Sequence, residues 1–303
     1  MNIPPVILIG KLETLYMKPS TKKLGAMFIA SSALLLAACS ADEPQTAAVP
    51  VEQSAAQPEV KPVVSKTKPA FAVFTISTGM IHVLSKPKSG PADLVYQNSC
   101  PAGSRPFGIA DINFGGKLFC NDAANRRITV MDMSSSAELF SWGWPAEVKG
   151  SPAWFIGRWQ VDRDVGLAAY DSAKGIYHVF NSEDKGFSLS HSFEYGGTEG
   201  ATQPLVGDWD GDGTDSAGVY RSATRQVFLR NVLDAGMADI SFGLDESGYE
   251  PDAMPVMINL DGRSAVAMYS SNAAIVVFTP AEASKTPFLF GAPAEEKVVV
   301  PIR

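Results

Sequence analysis

The chain has 303 residues, which allows one large domain or two small ones. Hydrophobic residues make up 46% of it, enough for a buried core, and its net charge of −7 disfavours nucleic acid or an anionic membrane surface as a partner. Its 26 glycines and 21 prolines separate many short β-branched runs, a pattern typical of an all-β protein.

The N-terminal region is organised like a secretory signal. A basic segment is formed by Lys18, Lys22 and Lys23. Residues 24–36 are apolar with many small side chains, and the run ends in Leu36-Ala37-Ala38-Cys39. A transmembrane anchor is the alternative, but a spanning helix needs about 20 apolar residues and this run is shorter.

This pattern resembles the signal of a bacterial lipoprotein, in which the lipobox cysteine is diacylated and becomes the first mature residue. The resemblance implies that residues 1–38 are the signal region and that Cys39 anchors the protein in the lipid bilayer. Met17 lies where such signals begin, so a start at Met17 is an alternative to Met1. Ser40, in place of aspartate, implies an outer-membrane location in a Gram-negative cell envelope.

Residues 39–68 are predicted to form a flexible linker. From residue 41 onward the composition is dominated by Ala, Pro, Val, Gln, Glu and Lys, with no aromatic residue and no period. Such a segment cannot bury enough surface to fold, and it would hold a folded body away from the bilayer. A partner-binding role for the segment is the alternative.

Residues 69–303 contain a repeat of about fifty residues. The stretch 207–220 reads GDWDGDGTDSAGVY, and GRWQVDRDVGLAAY precedes it at 157–170. The pattern continues at 257–269 (MINLDGRSAVAMY) and, more weakly, at 107–120 (FGIADINFGGKLFC). The last residues of these stretches are spaced 50, 50 and 49 apart: Cys120, Tyr170, Tyr220 and Tyr269. Each unit then closes on an aromatic-glycine pair: Trp142-Gly143, Tyr195-Gly196, Phe242-Gly243 and Phe290-Gly291.

Four short strands in each unit of this length predict the blades of a β-propeller. Residues 70–75, 80–84 and 93–96 resemble a first blade without its first strand, and residues 298–302 resemble a first strand without its blade. Joining the two ends gives a five-bladed β-propeller closed by N- and C-terminal strands, with no open sheet edge. A pair of β-sandwiches is the alternative, but it would not predict that the N-terminal unit lacks one strand and that the C-terminal end supplies it.

The stretch LVGDWDGDGTDSAGVYR is similar to the FG-GAP/VCBS-type propeller repeat, whose loop binds Ca²⁺ in that family and in the related integrin repeats. Carried over residue by residue, the resemblance implies the ligands Asp208, Asp210, Asp212, Thr214 (through its carbonyl) and Ser216. The family prefers an acid at the last of these positions, and here the acid, Asp215, lies one place early.

The repeat predicts one Ca²⁺ site. The acidic positions of this loop are aligned with Arg158, Gln160 and Asp162 in the third blade and with Met257, Asn259 and Asp261 in the fifth. An arginine would place a cation where calcium should lie, so we expect that loop to be metal-free. The alternative for the acidic loop itself is a metal-free turn with Asx-type hydrogen bonds.

Other residues have two interpretations each. Cys100 and Cys120 form a disulfide or remain two buried free thiols in an oxidising compartment. His82 and His178 occupy matching places two blades apart, and an inherited strand position is favoured over a metal ligand. The tryptophans at 159 and 209 are interpreted as core residues rather than a sugar-stacking surface.

The function favoured by the sequence is a non-enzymatic binding scaffold that presents a propeller face to a protein or glycan. A glycosidase-like hydrolase would need two carboxylates facing each other across the central channel, about 5–9.5 Å apart. A lectin would need the same polar and aromatic set in each blade, and these loops have diverged. Both remain alternatives, because a propeller fold does not fix a function.

Overall fold

A computed structural model of the protein describes residues 70–111, 115–161, 163–198, 201–244, 249–250, 253–260, 262–278, 288–290 and 297–303. The signal region, Cys39 and the linker at 39–68 lie outside these residues. The described residues all belong to the compact unit that spans residues 59–303. Among them, no helix is long and apolar enough to cross a membrane.

The described residues form twenty β-strands. In chain order they are β1 (Phe71–Thr75), β2 (Met80–Leu84), β3 (Leu94–Gln97), β4 (Arg105–Ala110), β5 (Lys117–Asp122), β6 (Arg127–Asp132), β7 (Glu138–Gly143), β8 (Ala153–Gly157), β9 (Gly166–Asp171), β10 (Ile176–Glu183), β11 (Gly186–Glu194), β12 (Thr202–Gly207), β13 (Ser216–Arg221), β14 (Gln226–Leu229), β15 (Ile240–Gly243), β16 (Met254–Leu260), β17 (Arg263–Tyr269), β18 (Ala274–Phe278), β19 (Phe288–Leu289) and β20 (Lys297–Val300).

These strands make five antiparallel sheets of four strands each, arranged as a five-bladed β-propeller. The first blade has the order β20-β1-β2-β3, and the second to fifth blades are β4-β5-β6-β7, β8 to β11, β12 to β15 and β16 to β19. The innermost strand of each blade is therefore β20, β4, β8, β12 or β16. The all-β class and the five-bladed architecture predicted from the repeat are confirmed.

The propeller is closed by pairing its last strand with its first. In β20, Val300 lies opposite Ala72 of β1 and Val298 lies opposite Phe74. Beyond the strand, Ile302 forms a parallel bridge with Ile109 of β4, so the last residues also join the second blade. This closure removes the exposed edge at which an open ring of blades would otherwise end.

The hydrophobic core lies between neighbouring blades. Five buried clusters each combine residues of two adjacent blades; for example, Phe71 of the first blade and Ile275 of the fifth share one cluster. A middle strand is consequently apolar on both faces, as in β9, where every residue is buried. This explains why the strands read as short continuous apolar runs rather than as alternating ones.

The turn between the second and third strands has the same backbone in every blade. One residue in each has a positive φ between 52° and 69°: Gly79, Arg126, Gly175, Arg225 and Ala273. Its carbonyl accepts a hydrogen bond from an N–H at the end of the outer strand, donated by Asn98, Trp144, Tyr195, Leu244 and Phe290 respectively. The aromatic-glycine pairs are thus not one position: Tyr195 and Phe290 are equivalent, whereas Trp142 and Phe242 lie two residues earlier.

Strand pairing also corrects one anchor of the repeat. Two residues after the positive-φ residue, the third strand pairs with Tyr170 in the third blade and with Tyr220 in the fourth. In the second blade the corresponding partner is Asn121, which lies opposite Ile128, and not Cys120. Cys120 is fully buried and is joined by a disulfide to Cys100, in the segment before β4, so it ties the end of the first blade to the second.

Candidate functional site

The acidic loop connects β12 to β13 at the end of the inner strand of the fourth blade. Carboxylate oxygens of Asp208, Asp210 and Asp212 lie within 4.8 Å of one another. Gly211 and Gly213, with φ of 84° and 90°, allow the chain to turn between these carboxylates, because glycine adopts positive φ without a steric cost. Asp208 and Asp210 are half-buried and Asp212 is exposed.

Backbone and hydroxyl donors of the loop hold each carboxylate in place. The two oxygens of Asp208 accept hydrogen bonds from the N–H groups of Gly211 and Gly213, at 2.7 and 3.0 Å. Asp212 Oδ1 accepts from the N–H and the hydroxyl of Thr214, at 2.7 and 2.6 Å. The carboxylates are thus oriented by their own loop and retain lone pairs that point away from these donors.

The remaining residues implied as ligands are engaged elsewhere. The Ser216 hydroxyl donates to the carbonyls of Gly207 and Arg230, at 3.2 and 2.5 Å, and its side chain is buried in the sheet. Asp215 is also buried, and its carboxylate accepts the N–H of Arg158 at 2.7 Å rather than joining the other three acids.

The donor chemistry of the loop suits a hard cation such as Ca²⁺, which prefers six to eight oxygen ligands. The described side chains offer three carboxylates, so backbone carbonyls and water would have to supply the other ligands. Such a site would be weak, about 10⁻⁴–10⁻³ M, which is the range of extracellular calcium modules.

The same loops dock each blade against the next. The N–H of Asp208 donates to the Ser264 hydroxyl of the fifth blade at 2.9 Å, and the N–H of Ser264 returns a bond to the Asp208 carbonyl at 2.6 Å. Arg158 and Asp215 exchange the matching pair of bonds between the third and fourth blades.

In the fifth blade the residue in this role is Asn259. Its N–H donates to the Ala70 carbonyl of the first blade, and its side chain accepts from the N–H of Gly262 as Asp208 does from Gly211. Asn259 is therefore the counterpart of Asp208, and the alignment of Met257 with Asp208 was wrong by two residues. The connection after β16 is a short turn, in which Leu260 pairs with Arg263, and it is too short to form the acidic loop.

The two tryptophans of the repeat lie over the glycine that ends the inner strand. The indole N–H of Trp209 donates to the Ala217 carbonyl at 3.2 Å, and that of Trp159 donates to the Phe180 carbonyl at 3.1 Å. A methyl group added to Gly207 or Gly157 would overlap the respective ring. Trp209 is buried in the interior. Trp159 is half-buried: it packs against a core cluster and also lines a polar pocket with Gln160 and Arg163.

The two histidines occupy the same strand position of the first and third blades, on β2 and β10. His178 Nδ1 lies 2.8 Å from the hydroxyl of Ser192 on the neighbouring strand. Burial lowers the pKa of His178, which favours its neutral form. His82 lies edge-on to the ring of Phe290. They are strand residues of separate blades and do not meet.

A channel with a volume of about 490 Å³ runs along the propeller axis between the five innermost strands. The described residues that line it are Arg105, Pro106, Phe107, Ala153, Trp154, Phe155, Ile156, Pro204, Leu205, Val206, Met254, Pro255, Val256, Met257, Tyr269, Lys297, Val298, Val299, Pro301 and Arg303. None of these residues has a carboxylate side chain, and most of the wall is apolar.

One end of the channel is crossed by the side chain of Arg303, whose Nε lies 2.9 Å from Asp215 Oδ2. Burial raises the pKa of the Asp215 carboxyl and lowers that of the Arg303 guanidinium, and each charge opposes the shift of the other. The sequence analysis missed this pair. Its only signal was an acid placed one residue outside the calcium pattern and a single arginine after the apolar run of β20.

Searches against known proteins found no matching family and no matching curated protein. Solved structures with a similar arrangement include a glutaminyl cyclase from Myxococcus xanthus, with a TM-score of 0.40 and 9% identity over 61% of this chain and 71% of that one. A protein of unknown function from Bacteroides caccae gives a TM-score of 0.41 and 15% identity over 73% of each chain. Regucalcin, a calcium-binding protein from Agrobacterium tumefaciens, gives 0.32 and 10% identity over 61% of this chain and 74% of that one. At these scores the likenesses carry no argument about function, and the resemblance to FG-GAP/VCBS repeats stays a prediction.

Proposed function

We propose that this protein is a lipid-anchored scaffold of the bacterial outer membrane, and that its propeller binds a protein or glycan without catalysing a reaction. The observation that carries the non-catalytic assignment is the wall of the axial channel. Hydrolysis of a glycosidic bond needs two opposed carboxylates, and the described wall offers apolar side chains and three cations instead. Three acids of the fourth blade lie together in the loop after β12, within 4.8 Å of one another, and they are not part of the described channel wall.

The acidic loop has a structural part in this proposal. A Ca²⁺ ion held by Asp208, Asp210 and Asp212 would neutralise three clustered carboxylates next to the contact between the fourth and fifth blades. The resemblance to calcium-binding propeller repeats and the oxygen-only donor set both support this assignment. The ion would stiffen the blade contact and would not act on a substrate.

The membrane anchor is tested by replacing Cys39 with alanine in the full chain. Because lipid attachment requires the thiol, we expect the Cys39→Ala protein to accumulate as an unprocessed or mislocalised precursor. Fractionation of envelope membranes and mass spectrometry of the N-terminus measure this. A Cys39→Ala protein that is processed and fractionates like the wild type would show that the anchor is elsewhere.

The scaffold role is tested by photo-crosslinking in intact cells. A crosslinking residue placed at Val161 or Ala153 would sample the two opposite faces of the propeller, and one at Val95 on the outer strand β3 serves as control. We expect one face to give a discrete adduct that the other face and the control do not give. Equal adduct patterns at all three positions would contradict a specific binding face.

The enzymatic alternative is tested on the same preparation. A panel of chromogenic aryl glycosides should show no turnover above that of the heat-denatured protein. Saturable turnover of any of them would overturn the non-catalytic assignment.

A further inference from the structure

Within the part of the chain that the structure describes, the axial channel is open at one end and crossed by a side chain toward the other. At the open end lie the first residues of inner strands, among them Ala153, Met254 and Lys297. The side chain of Arg303 crosses the channel deeper inside, where it contacts Val206 of β12 and Met257 of β16. Three or four residues of inner strand separate the two levels, a depth of about 10–13 Å at 3.2–3.4 Å per residue. The volume of about 490 Å³ suits a small molecule.

The wall of this pocket is apolar and partly exposed. Phe107, Phe155, Val256 and Val298 come from four different blades, and each is only half-buried although it lies on an innermost strand. Each of these side chains packs partly against a core cluster between two blades, and a ligand inside the channel could cover surface that this packing leaves exposed. An apolar body of a ligand would provide that cover, at roughly 25 cal/mol per Å² of surface removed from water.

The floor of the pocket offers hydrogen-bond donors that the described protein atoms do not satisfy. The side chain of Arg303 is only 7% exposed. Its Nη2 donates to the Val206 carbonyl at 2.9 Å, whereas Nη1 meets only the Met257 sulfur at 3.3 Å, a weak acceptor. Nε lies close enough to Asp215 for an ion pair, yet its N–H makes no hydrogen bond.

Buried donors without an acceptor cost about 1–3 kcal/mol each. An oxygen atom that the described residues do not supply would therefore stabilise the buried guanidinium of Arg303. The acceptor must reach Arg303 along the channel, past an apolar wall. Asp215 is not one of the lining residues, and the Arg303 Nε and the N–H of Arg158 both lie against its Oδ2.

We propose that the channel binds a small amphiphile, with its apolar chain along the wall and a carboxylate head accepting hydrogen bonds from Arg303. A carboxylate is favoured over a cationic head because the head would meet the guanidinium of Arg303, and none of the described lining side chains is acidic. Planar carboxylates also match the geometry of a guanidinium better than single-oxygen groups do. The channel opens at the propeller face that carries Ala153, but the binding of a small amphiphile is measured on the isolated protein without a macromolecular partner, so the two proposals can fail independently.

Decanoate is a suitable probe, and decanol is the matched ligand with the same chain and no charge. The full chain carrying Cys39→Ala is used for titration calorimetry, because it has no attached acyl chain to compete for the channel. We expect one decanoate to bind per protein and decanol to bind at least about tenfold more weakly, since a hydrogen bond to a charged group is worth about 1.5–3 kcal/mol. Octanoate should bind more weakly than decanoate, by about fourfold for each methylene removed.

The head-group contact is tested in a variant that keeps the floor electrically balanced. Arg303→Met alone would leave Asp215 buried without its partner, so Arg303→Met is combined with Asp215→Asn, which can still accept the N–H of Arg158. We expect this double variant to melt as one folded species and to lose the preference for decanoate over decanol. Ala153→Trp, at the open end, should weaken both ligands, whereas Leu189→Asp, on the exposed outer strand β11, should change neither.

Four results would overturn the proposal. The first is the absence of saturable decanoate binding, which would mean that water alone occupies the channel. The second is equal affinity of the wild type for decanoate and decanol. The third is a folded double variant that retains the wild-type preference. The fourth is loss of binding in Leu189→Asp, which would place the amphiphile outside the channel.

Discussion

The loops that follow the inner strands of the third and fourth blades share a backbone role and differ in chemistry. Both leave a glycine covered by a tryptophan ring, and both exchange two hydrogen bonds with the next blade. The fourth-blade loop gathers three carboxylates, whereas the third-blade loop begins with Arg158. Each loop docks through its own backbone N–H and carbonyl, which meet a side chain and an N–H of the next blade. The side chain of the docking residue, Arg158 or Asp208, is therefore free to differ between the two loops.

The third and fourth blades also differ at the residue just before the second strand of each blade. In the third blade it is Val165, which is buried in the apolar cluster between the second and third blades. In the fourth blade it is Asp215, which is buried with Arg303 and receives the N–H of Arg158. The same backbone position therefore holds an apolar contact in one blade and a buried ion pair in the other.

The largest effect is expected when this difference is erased by Asp215→Val. The substitution leaves Arg303 buried without its counter-charge and the Arg158 N–H without an acceptor. Breaking a buried ion pair in this way costs about 3–5 kcal/mol. We expect a fall in melting temperature of about 6–20 °C, at 2–4 °C per kcal/mol for a domain of this size, measured by circular dichroism.

The control combines Asp215→Val with Arg303→Met. Replacing both charges by apolar side chains removes the desolvation cost together with the attraction, so the double variant should recover at least half of the loss. If the single and double variants melt at the same temperature, the ion pair does not carry the stability of this position.

A smaller effect is expected from Gly207→Ala, with Gly157→Ala as its third-blade counterpart. The new Cβ would lie 2.7 Å from the Trp209 ring in one case and 2.2 Å from the Trp159 ring in the other. Overpacking of this kind costs about 1–3 kcal/mol. Denaturant unfolding should show both losses, because the tryptophan contact is common to the two loops.

Gly143→Ala is the matched control, because a methyl group there would meet nothing within 4 Å. A loss in only one of the two inner-strand variants would contradict the shared backbone role of the loops.

The sequence predicted the architecture well, since a propeller repeats its strands at a fixed spacing and its two ends share one blade. The predicted strand at 298–302 overlaps β20, which ends at Val300 and pairs with β1 as expected. Errors of one or two residues arose where the blades differ locally. In the second blade, where β4 and β5 pair irregularly, the repeat alignment took Cys120 instead of Asn121 as the equivalent of Tyr170. In the fifth blade, the turn after β16 is shorter than the acidic loop, so the alignment placed Met257 instead of Asn259 opposite Asp208.

The acidic cluster was also predictable, because its ligands lie in one loop and their spacing is local. The ion pair between Asp215 and Arg303 was not, since 88 positions separate the two residues in the sequence and only ring closure brings them together. Burial of an acid can be inferred only when the cation that pairs with it is known. The cation that pairs with Asp215 is Arg303, which reaches it because of the course of the chain after β20. The channel is likewise invisible in the sequence, because each of its five walls is an ordinary apolar strand.

The smallest expected effect is that of calcium, which tests whether the fourth-blade loop binds a metal and the third-blade loop does not. Three carboxylates within 4.8 Å of one another should bind Ca²⁺ weakly, and occupancy stabilises the fold by RT ln(1 + [L]/Kd). At about tenfold excess over Kd this is about 1.4 kcal/mol, or a rise in melting temperature of about 3–6 °C. Differential scanning calorimetry with millimolar CaCl₂ and with a chelator measures the shift.

The two loops supply the controls for this experiment. Asp210→Ala should abolish the calcium-dependent rise, because it removes one of three charged ligands without touching the bonds that dock Asp208 to Ser264. Gln160→Ala, at the matching place in the third blade, should leave the rise unchanged, because Arg158 opposes cation binding there. A wild-type melting temperature that does not respond to millimolar calcium would mean that the carboxylates serve only the turn, where they accept the N–H groups of Gly211, Gly213 and Thr214.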